Sequence, residues 1–199
     1  MTRIVAIYGS PRRNGNTSML LRSAVSAARD EGAVVEEFVL RDLKISPCLE
    51  IYACKEKGEC AIQDDFQRVA RSMLNAQGIM LASPIFFYTV SAHTKAFMDR
   101  CQSLWVKRYW IDRIPFGLRH YARKGLFVSV GATTGKRLFD GTLLTVRYFF
   151  DAVDTELWGT LLYRGLDLEG DVLKHPDYLT SAYLKGREMA MTLKEADSG

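Results

Sequence analysis

Arg-Ile-Val-Ala-Ile-Tyr-Gly-Ser-Pro-Arg-Arg-Asn-Gly-Asn-Thr-Ser (residues 3–18) joins three local patterns whose order decides the fold. Ile4 through Tyr8 form a near-continuous apolar run, the signature of a strand buried on both faces. Gly9 through Thr17 supply a turn rich in Gly, Ser and Asn, and helical apolar spacing begins at Met19-Leu20-Leu21. A buried strand, a hydroxyl-rich loop and a helix start together make an anion pocket. Free backbone N–H groups converge there, and the helix dipole favours negative charge. The expectation is a phosphate-binding loop.

Outward from this unit the same alternation repeats. The first helix is expected over about Thr17 to Glu31, closed by Gly32, and a second strand over Val34–Leu40. Residues 41–63 read as irregular. Asp64-Asp65 marks a helix start ahead of Phe66, Val69, Ala70 and Met73, which share a face. Ile79–Ala82 is a third strand, Ser83–Val90 a loop, and Ala92–Ser103 a helix with Ala92, Ala96, Phe97 and Cys101 on one side and Lys95, Asp99 and Arg100 elsewhere. After an aromatic and basic insert (104–123) come a fourth strand (Gly125–Val130), the loop Gly131–Lys136, a helix (Leu138–Phe150), a fifth strand (Thr155–Leu162) and a closing helix (Tyr178–Lys194). Crossovers of this length argue a parallel sheet with helices on both faces. Five strands suit an α/β, flavodoxin-like doubly wound sheet of order 2-1-3-4-5. Ligands then sit where the order reverses, which gathers loops 9–17, 83–90 and 131–136 around one crevice. Residues 1–199 are expected to form a single domain, with no internal repeat or linker.

Composition sets the bounds. The 199 residues are 48% hydrophobic and 25% charged, with 15 Gly and 5 Pro, ordinary for one well-cored domain. A net charge of +4 favours anionic ligands slightly and calls for no nucleic acid. The first strand begins at once, leaving no room for a signal peptide, and no apolar run approaches the ~18–20 residues of a membrane span. The expectation is a soluble cytoplasmic protein with no membrane partner, whose cysteines are thiols or metal ligands rather than disulfides.

The loop after the first strand is not one of the better-known phosphate loops. It lacks the Gly-x4-Gly-Lys-[Ser/Thr] spacing, and Gly131-Ala-Thr-Thr-Gly-Lys-Arg is one residue short of it. Gly-x-Gly-x-x-Gly is absent. With no Cys in the loop, covalent phosphoryl chemistry has no nucleophile. What remains is passive holding of a phosphate: hydroxyls from Ser10, Thr17 and Ser18, donors from Asn16 and the backbone, charge from Arg12, and a tight turn at Asn14 or Gly15. The plain alternative is a solvated strand–helix turn.

Three segments in order carry a family resemblance. Gly-Ser-Pro-Arg-Arg-Asn-Gly-Asn-Thr-Ser (9–18) resembles the FMN-phosphate loop of the NADPH-dependent FMN reductase family. Ser-Pro-Ile-Phe-Phe-Tyr-Thr-Val-Ser (83–91), leading into Lys-Ala-Phe-Met-Asp-Arg (95–100), resembles that family's isoalloxazine loop and the helix after it. Pro47-Cys48 through Cys60, followed by Asp64-Asp65, is similar to the cysteine segment of the iron–sulfur flavoprotein-like branch. The resemblance covers about residues 3–135. It implies bound FMN, NAD(P)H as co-substrate, and electrons passed to a small acceptor such as a flavin or quinone. It also gives the 83–90 loop a role: Pro84, Ile85, Phe86, Phe87 and Tyr88 offer stiff, flat contact to the ring, and backbone amides around Phe86–Val90 face its reducible edge. Gly131 opens a small loop suited to the ribityl chain, or to an ordinary turn. No catalytic side chain is expected, since the chemistry belongs to the flavin. Two other readings stay open: a one-electron carrier without direct NAD(P)H oxidation, and a flavin- or nucleotide-sensing binding module. An open crevice invites a neighbouring subunit, so a homodimer or homotetramer is expected.

The related branch places four cysteines as Cys-x2-Cys-x2-Cys-x4–7-Cys. Here the segment reads Cys48, Ile51, Cys54, Cys60, so the second position holds no thiol. A four-iron cluster takes four thiolates, and Cys101 falls on an apolar helix face as core. The expectation is no metal; if a cluster forms, Cys48, Cys54 and Cys60 are its ligands. A three-cysteine cluster, a zinc site with an outside ligand and plain thiols all remain open. The insert 104–123 mixes aromatics with Arg and Lys, which read alone suits a single-stranded nucleic-acid platform; beside the crevice it reads as a subunit-contact or lid segment, with basic residues for an NADPH phosphate, or as an anchored surface loop. His93, His120 and His175 lack metal-ligand spacing.

Overall fold

A computed structural model describes residues 1–118 and 121–198, with side chains described to Ala196. Five strands, β1 (Arg3–Tyr8), β2 (Val34–Val39), β3 (Gly78–Ala82), β4 (Arg123–Gly131) and β5 (Thr155–Arg164), form one sheet of order β2-β1-β3-β4-β5, every pair parallel. This is the flavodoxin-like order that the strand–helix alternation predicts. Alternate residues of the central strands feed two cores. Ile4, Ala6, Met80, Leu126 and Val128 face α1 (Asn16–Asp30) and α7 (Pro176–Ser198). Val5, Ile7, Ile79, Leu81 and Phe127 face α3 (Phe66–Leu74), α4 (Ala92–Arg100), α5 (Gln102–Val106) and α6 (Asp140–Ala152). Burial on both sides is why these strands read as unbroken apolar runs.

Four particulars differ from the sequence reading. The irregular stretch contains a one-turn helix, α2 (Cys54–Lys57), ended by Gly58 at φ +71. The long helix after the second loop breaks at Cys101 into α4 and α5 and widens into a π-type turn over Lys107–Ile111. Arg100 is buried, 1% exposed, while Ala92 is exposed. The insert lies at the opposite end of the sheet from the crevice. Arg108 pairs with Asp154, and the Tyr109 and Tyr121 hydroxyls donate to Asp151, where β5 and α6 meet away from the strands' carboxyl ends. Its aromatic residues pack on each other, with Tyr109 and Phe116 stacked at 4.5 Å. The Asp154 carboxylate already holds its buried Arg108, which removes that cation from any role at the crevice. His93 is exposed, His175 stacks on Tyr178, and His120 lies outside the described residues.

The cap of α3 is supplied by Asp64 rather than Asp65. The Asp64 carboxylate accepts the Phe66 N–H at 3.0 Å, while Gln67 Oε1 accepts the Asp64 N–H at 3.0 Å. This reciprocal pair has the logic of a capping box.

Candidate functional site

β1 ends against β3, and Gly9 is fixed by close approach. Its N–H donates to Ala82 O at 2.7 Å, and a Cβ there would lie 1.9 Å from Thr94 Oγ1. Buried hydroxyls brace the three loops at the strands' carboxyl ends. Ser91 caps α4 by accepting the Thr94 N–H, and its own hydroxyl donates to Gly9 O. Ser83 Oγ accepts the Ser91 N–H at 2.9 Å, and Ser129 Oγ donates to Ser83 O at 2.7 Å. Sequence reasoning missed this bracing; its signal is the recurrence of Ser at or beside the carboxyl ends of β3 and β4.

The first loop is organised from within. Ser10 Oγ accepts the Arg12 N–H at 3.1 Å, and the Gly15 N–H and Ser18 Oγ–H both donate to Arg12 O. Gly15 precedes α1 with no side-chain cap, and the first turn of the helix holds no acidic residue. The N–H groups of Asn16, Thr17 and Ser18 therefore stand as the orphan donors of a helix start. Thr17 is 1% exposed, and its Oγ1 is buried with no hydrogen-bond partner. A buried hydroxyl without a partner carries a desolvation penalty of about 1–3 kcal/mol. A phosphate oxygen on the α1 N-terminus is the kind of acceptor that relieves it.

The cleft beside this loop, about 190 Å³, is lined by Ser10, Arg12, Asn16 and Thr17 at one end and by Pro84, Ile85 and Phe86 at the other, with Gly131 between. Eight of the residues named from sequence are thus brought together. Ser18 is buried behind the loop, 2% exposed. Phe87 and Tyr88 lie outside the lining, 98% and 59% exposed. They occupy the tip of a hairpin in which the Phe86 and Thr89 N–H groups donate to each other's carbonyls. Both tip residues have positive φ, 48° and 61°, as in a type I′ turn. Among the amides expected to face the flavin edge, those of Phe86 and Thr89 are therefore engaged, which leaves the Phe87, Tyr88 and Val90 amides as the donors. The cleft also has lining residues that sequence reasoning missed: Pro11, Val130, Ala132 and, from the segment after β5, Leu166 and Asp167. The residues present fit a phosphorylated flavin, with a donor-rich end for the phosphate and an apolar end for the ring.

The cysteine segment lines a separate cavity of about 630 Å³ containing Cys48, Ile51, Cys54 and Cys60. Arg100 holds the segment down. Its Nε donates to Cys60 Sγ at 3.1 Å, Nη1 to Asp64 Oδ2 at 2.7 Å and Ser46 O at 3.0 Å, and Nη2 to Ile62 O at 2.8 Å. Burial pushes against charge on both partners, but their mutual hydrogen bond, with the Ser46 and Phe66 N–H groups, holds the Asp64 carboxyl below its usual range. Among the described residues no three Cys, His, Asp or Glu side chains converge to hold a metal ion. Ile51 stands on the cavity wall where a second thiolate would be, so the residues present do not make the four-thiolate set of a four-iron cluster. Cys101 is buried in the core, where burial pushes its thiol up.

Comparison with known proteins agrees with this architecture. The chain is 40% identical over 131 residues to an iron-sulfur flavoprotein of Methanocaldococcus jannaschii, a match covering 66% of this chain and 63% of that protein. The chain thus spans less than two thirds of the length of the first such relatives, 63% and 58%. A Bacillus subtilis protein provisionally named as an NAD(P)H-dependent FMN-containing oxidoreductase is 25% identical over 181 residues, covering 90% of this chain and 94% of its own. Among solved structures, a flavone reductase superposes with a TM-score of 0.68 at 19% identity, covering 98% of this chain and 64% of its own, which is a likeness of fold. The family model for NADPH-dependent FMN reductase matches residues 2–148, and the chain belongs to that family.

Proposed function

We propose that the chain is an FMN-dependent oxidoreductase that takes electrons from NAD(P)H and passes them to a small acceptor such as a flavin or quinone. The observation that carries this reading is the unpartnered, buried Thr17 hydroxyl at the uncapped N-terminus of α1, inside a cleft whose other end is Pro84-Ile85-Phe86. Family membership supports it. Bound FMN supplies hydride acceptance and electron release; the chain's residues hold and orient it. The α1 amides, the Thr17 hydroxyl and the Arg12 charge hold the phosphate. Pro84, Ile85 and Phe86 give the ring an apolar wall, and the tip amides of Phe87 and Tyr88 offer donors at its edge.

The same reading takes a second copy of the chain as the cover for the cleft mouth. Phe87 and Tyr88 protrude there, and α6 continues the exposed apolar surface with Leu144 and Tyr148, 57% and 68% exposed. The proposed state is a homodimer or homotetramer without nucleic-acid or membrane partners; no described helix is long and apolar enough to cross a membrane. The cysteine segment is read as free of a four-iron cluster. NADPH oxidation by the FMN-loaded chain with an artificial acceptor tests the function. Sustained turnover supports it, and turnover that needs an added reductase would make the chain an electron carrier instead.

A further inference from the structure

The remaining wall of the cleft comes from a segment beyond the stretch that matches the family. β5 ends at Arg164, and residues 165–175 turn back over the carboxyl end of the sheet before α7, with Gly165 and Gly170 at φ +75° and +85°. The Leu166 N–H donates to Gly131 O at 3.2 Å, which ties this strap to the third loop. Arg12 Nη1 donates to Asp167 O at 2.8 Å, which ties it to the first. Asn16 closes it from both ends of its amide: Nδ2 donates to Leu168 O at 2.9 Å, and Oδ1 accepts the Val172 N–H at 3.1 Å. Leu166 and Val172 are seated in the core, 3% and 0% exposed.

Asn16 therefore has two positions in the site. Its backbone N–H belongs to the first turn of α1, where the phosphate cradle lies, while its side-chain oxygen and nitrogen each bond the strap. Arg12 is shared in the same way, lining the cleft beside the cradle and bonded to the strap. An anion that orders the cradle orders both latches, and a docked strap keeps water from the cradle's flank, which strengthens each charge-assisted hydrogen bond there. We propose that residues 165–175 are a fourth binding segment of the cofactor site, latched by Asn16 and Arg12, so that phosphate occupancy and strap docking stabilise each other. Such coupling is reciprocal by thermodynamic necessity. It rests on the reading of the first loop as an FMN-phosphate site, and it makes Asn16 a positioning residue that favours phosphorylated flavin over riboflavin.

The test is hydrogen exchange of the full chain alone, with FMN and with riboflavin, paired with binding titrations of both flavins. The expected result is at least tenfold slower exchange in peptides spanning 165–175 with FMN and little change with riboflavin. Asn16→Ala is expected to abolish that protection and to weaken FMN binding at least tenfold while moving riboflavin less than threefold. Should that variant fail to fold, Gly170→Ala, which strains the strap at φ +85° away from the cleft, is expected to speed FMN release several-fold and leave riboflavin release unchanged. Saturable FMN binding with no strap protection, or variants that affect riboflavin as much as FMN, would overturn the proposal alone. Absence of saturable FMN binding by the unaltered chain would overturn it together with the functional reading.

Discussion

Thr17 is the residue at which structure and chemistry meet most narrowly. Replacing its buried, unpartnered hydroxyl by a methyl removes a penalty from the empty protein and a donor from the occupied one. Hydrogen bonds to charged groups are worth about 1.5–3 kcal/mol, so Thr17→Val should weaken FMN binding roughly ten- to hundredfold. The unliganded variant should unfold at the same or a higher temperature; fluorescence titration and thermal melting check the two halves. Gly9 makes a steric prediction. A Cβ there would stand 1.9 Å from Thr94 Oγ1 and 2.8 Å from Ala82 O, so Gly9→Ala should destabilise by about 1–3 kcal/mol and show a lowered melting temperature. Asp64 carries the pH dependence. Its folded-state pKa is depressed, so its contribution is full above the unfolded value of about 3.9 and is lost as pH falls through the folded value. Denaturation titrations between about pH 5 and 2 should show stability falling, and Asp64→Asn should flatten that slope.

At the scale of elements, α1 and α7 pack closely because Gly186 has no side chain. A Cβ there would lie 2.1 Å from Ala24 O, a backbone atom that cannot step aside. Gly186→Ala should therefore separate the two helices and cost about 2–3 kcal/mol, a fall of roughly 5–10 °C in Tm for a chain of this size. The sequence shows both helices through their apolar spacing, yet the helix–helix approach is invisible there, because a lone Gly in a helix has no local signature. The α4–α5 break has the same character. Apolar spacing at Phe97 and Cys101 reads as one continuous face, and only the tertiary position of Arg100, pulled inward by Asp64, Cys60 and two carbonyls, shows that a cation belongs to the buried side. A buried Arg with four partners is satisfied only by residues 36 to 54 positions away in sequence, so periodicity cannot find it.

For the whole molecule, strand order and the gathering of three loops at one end of the sheet follow from alternation and right-handed crossovers, which is why Ser10, Thr17, Pro84, Phe86 and Gly131 meet as expected. The strap was not legible. Its bonds to Arg12 and Asn16 are made by backbone carbonyls and an amide of Asp167, Leu168 and Val172, which any residue type could supply. Nor was the insert's location, since a sequence of Trp, Tyr and Arg does not tell which end of a strand it crosses. As proposed, the strand–loop–helix at residues 3–18 holds the phosphate of a flavin without reacting with it. The decisive measurement is titration of the flavin-free chain with FMN and with riboflavin, read by flavin fluorescence. One FMN should bind per chain, at least tenfold tighter than riboflavin; equal affinity for the two, or no saturable binding of FMN, would overturn the phosphate-holding role of the loop.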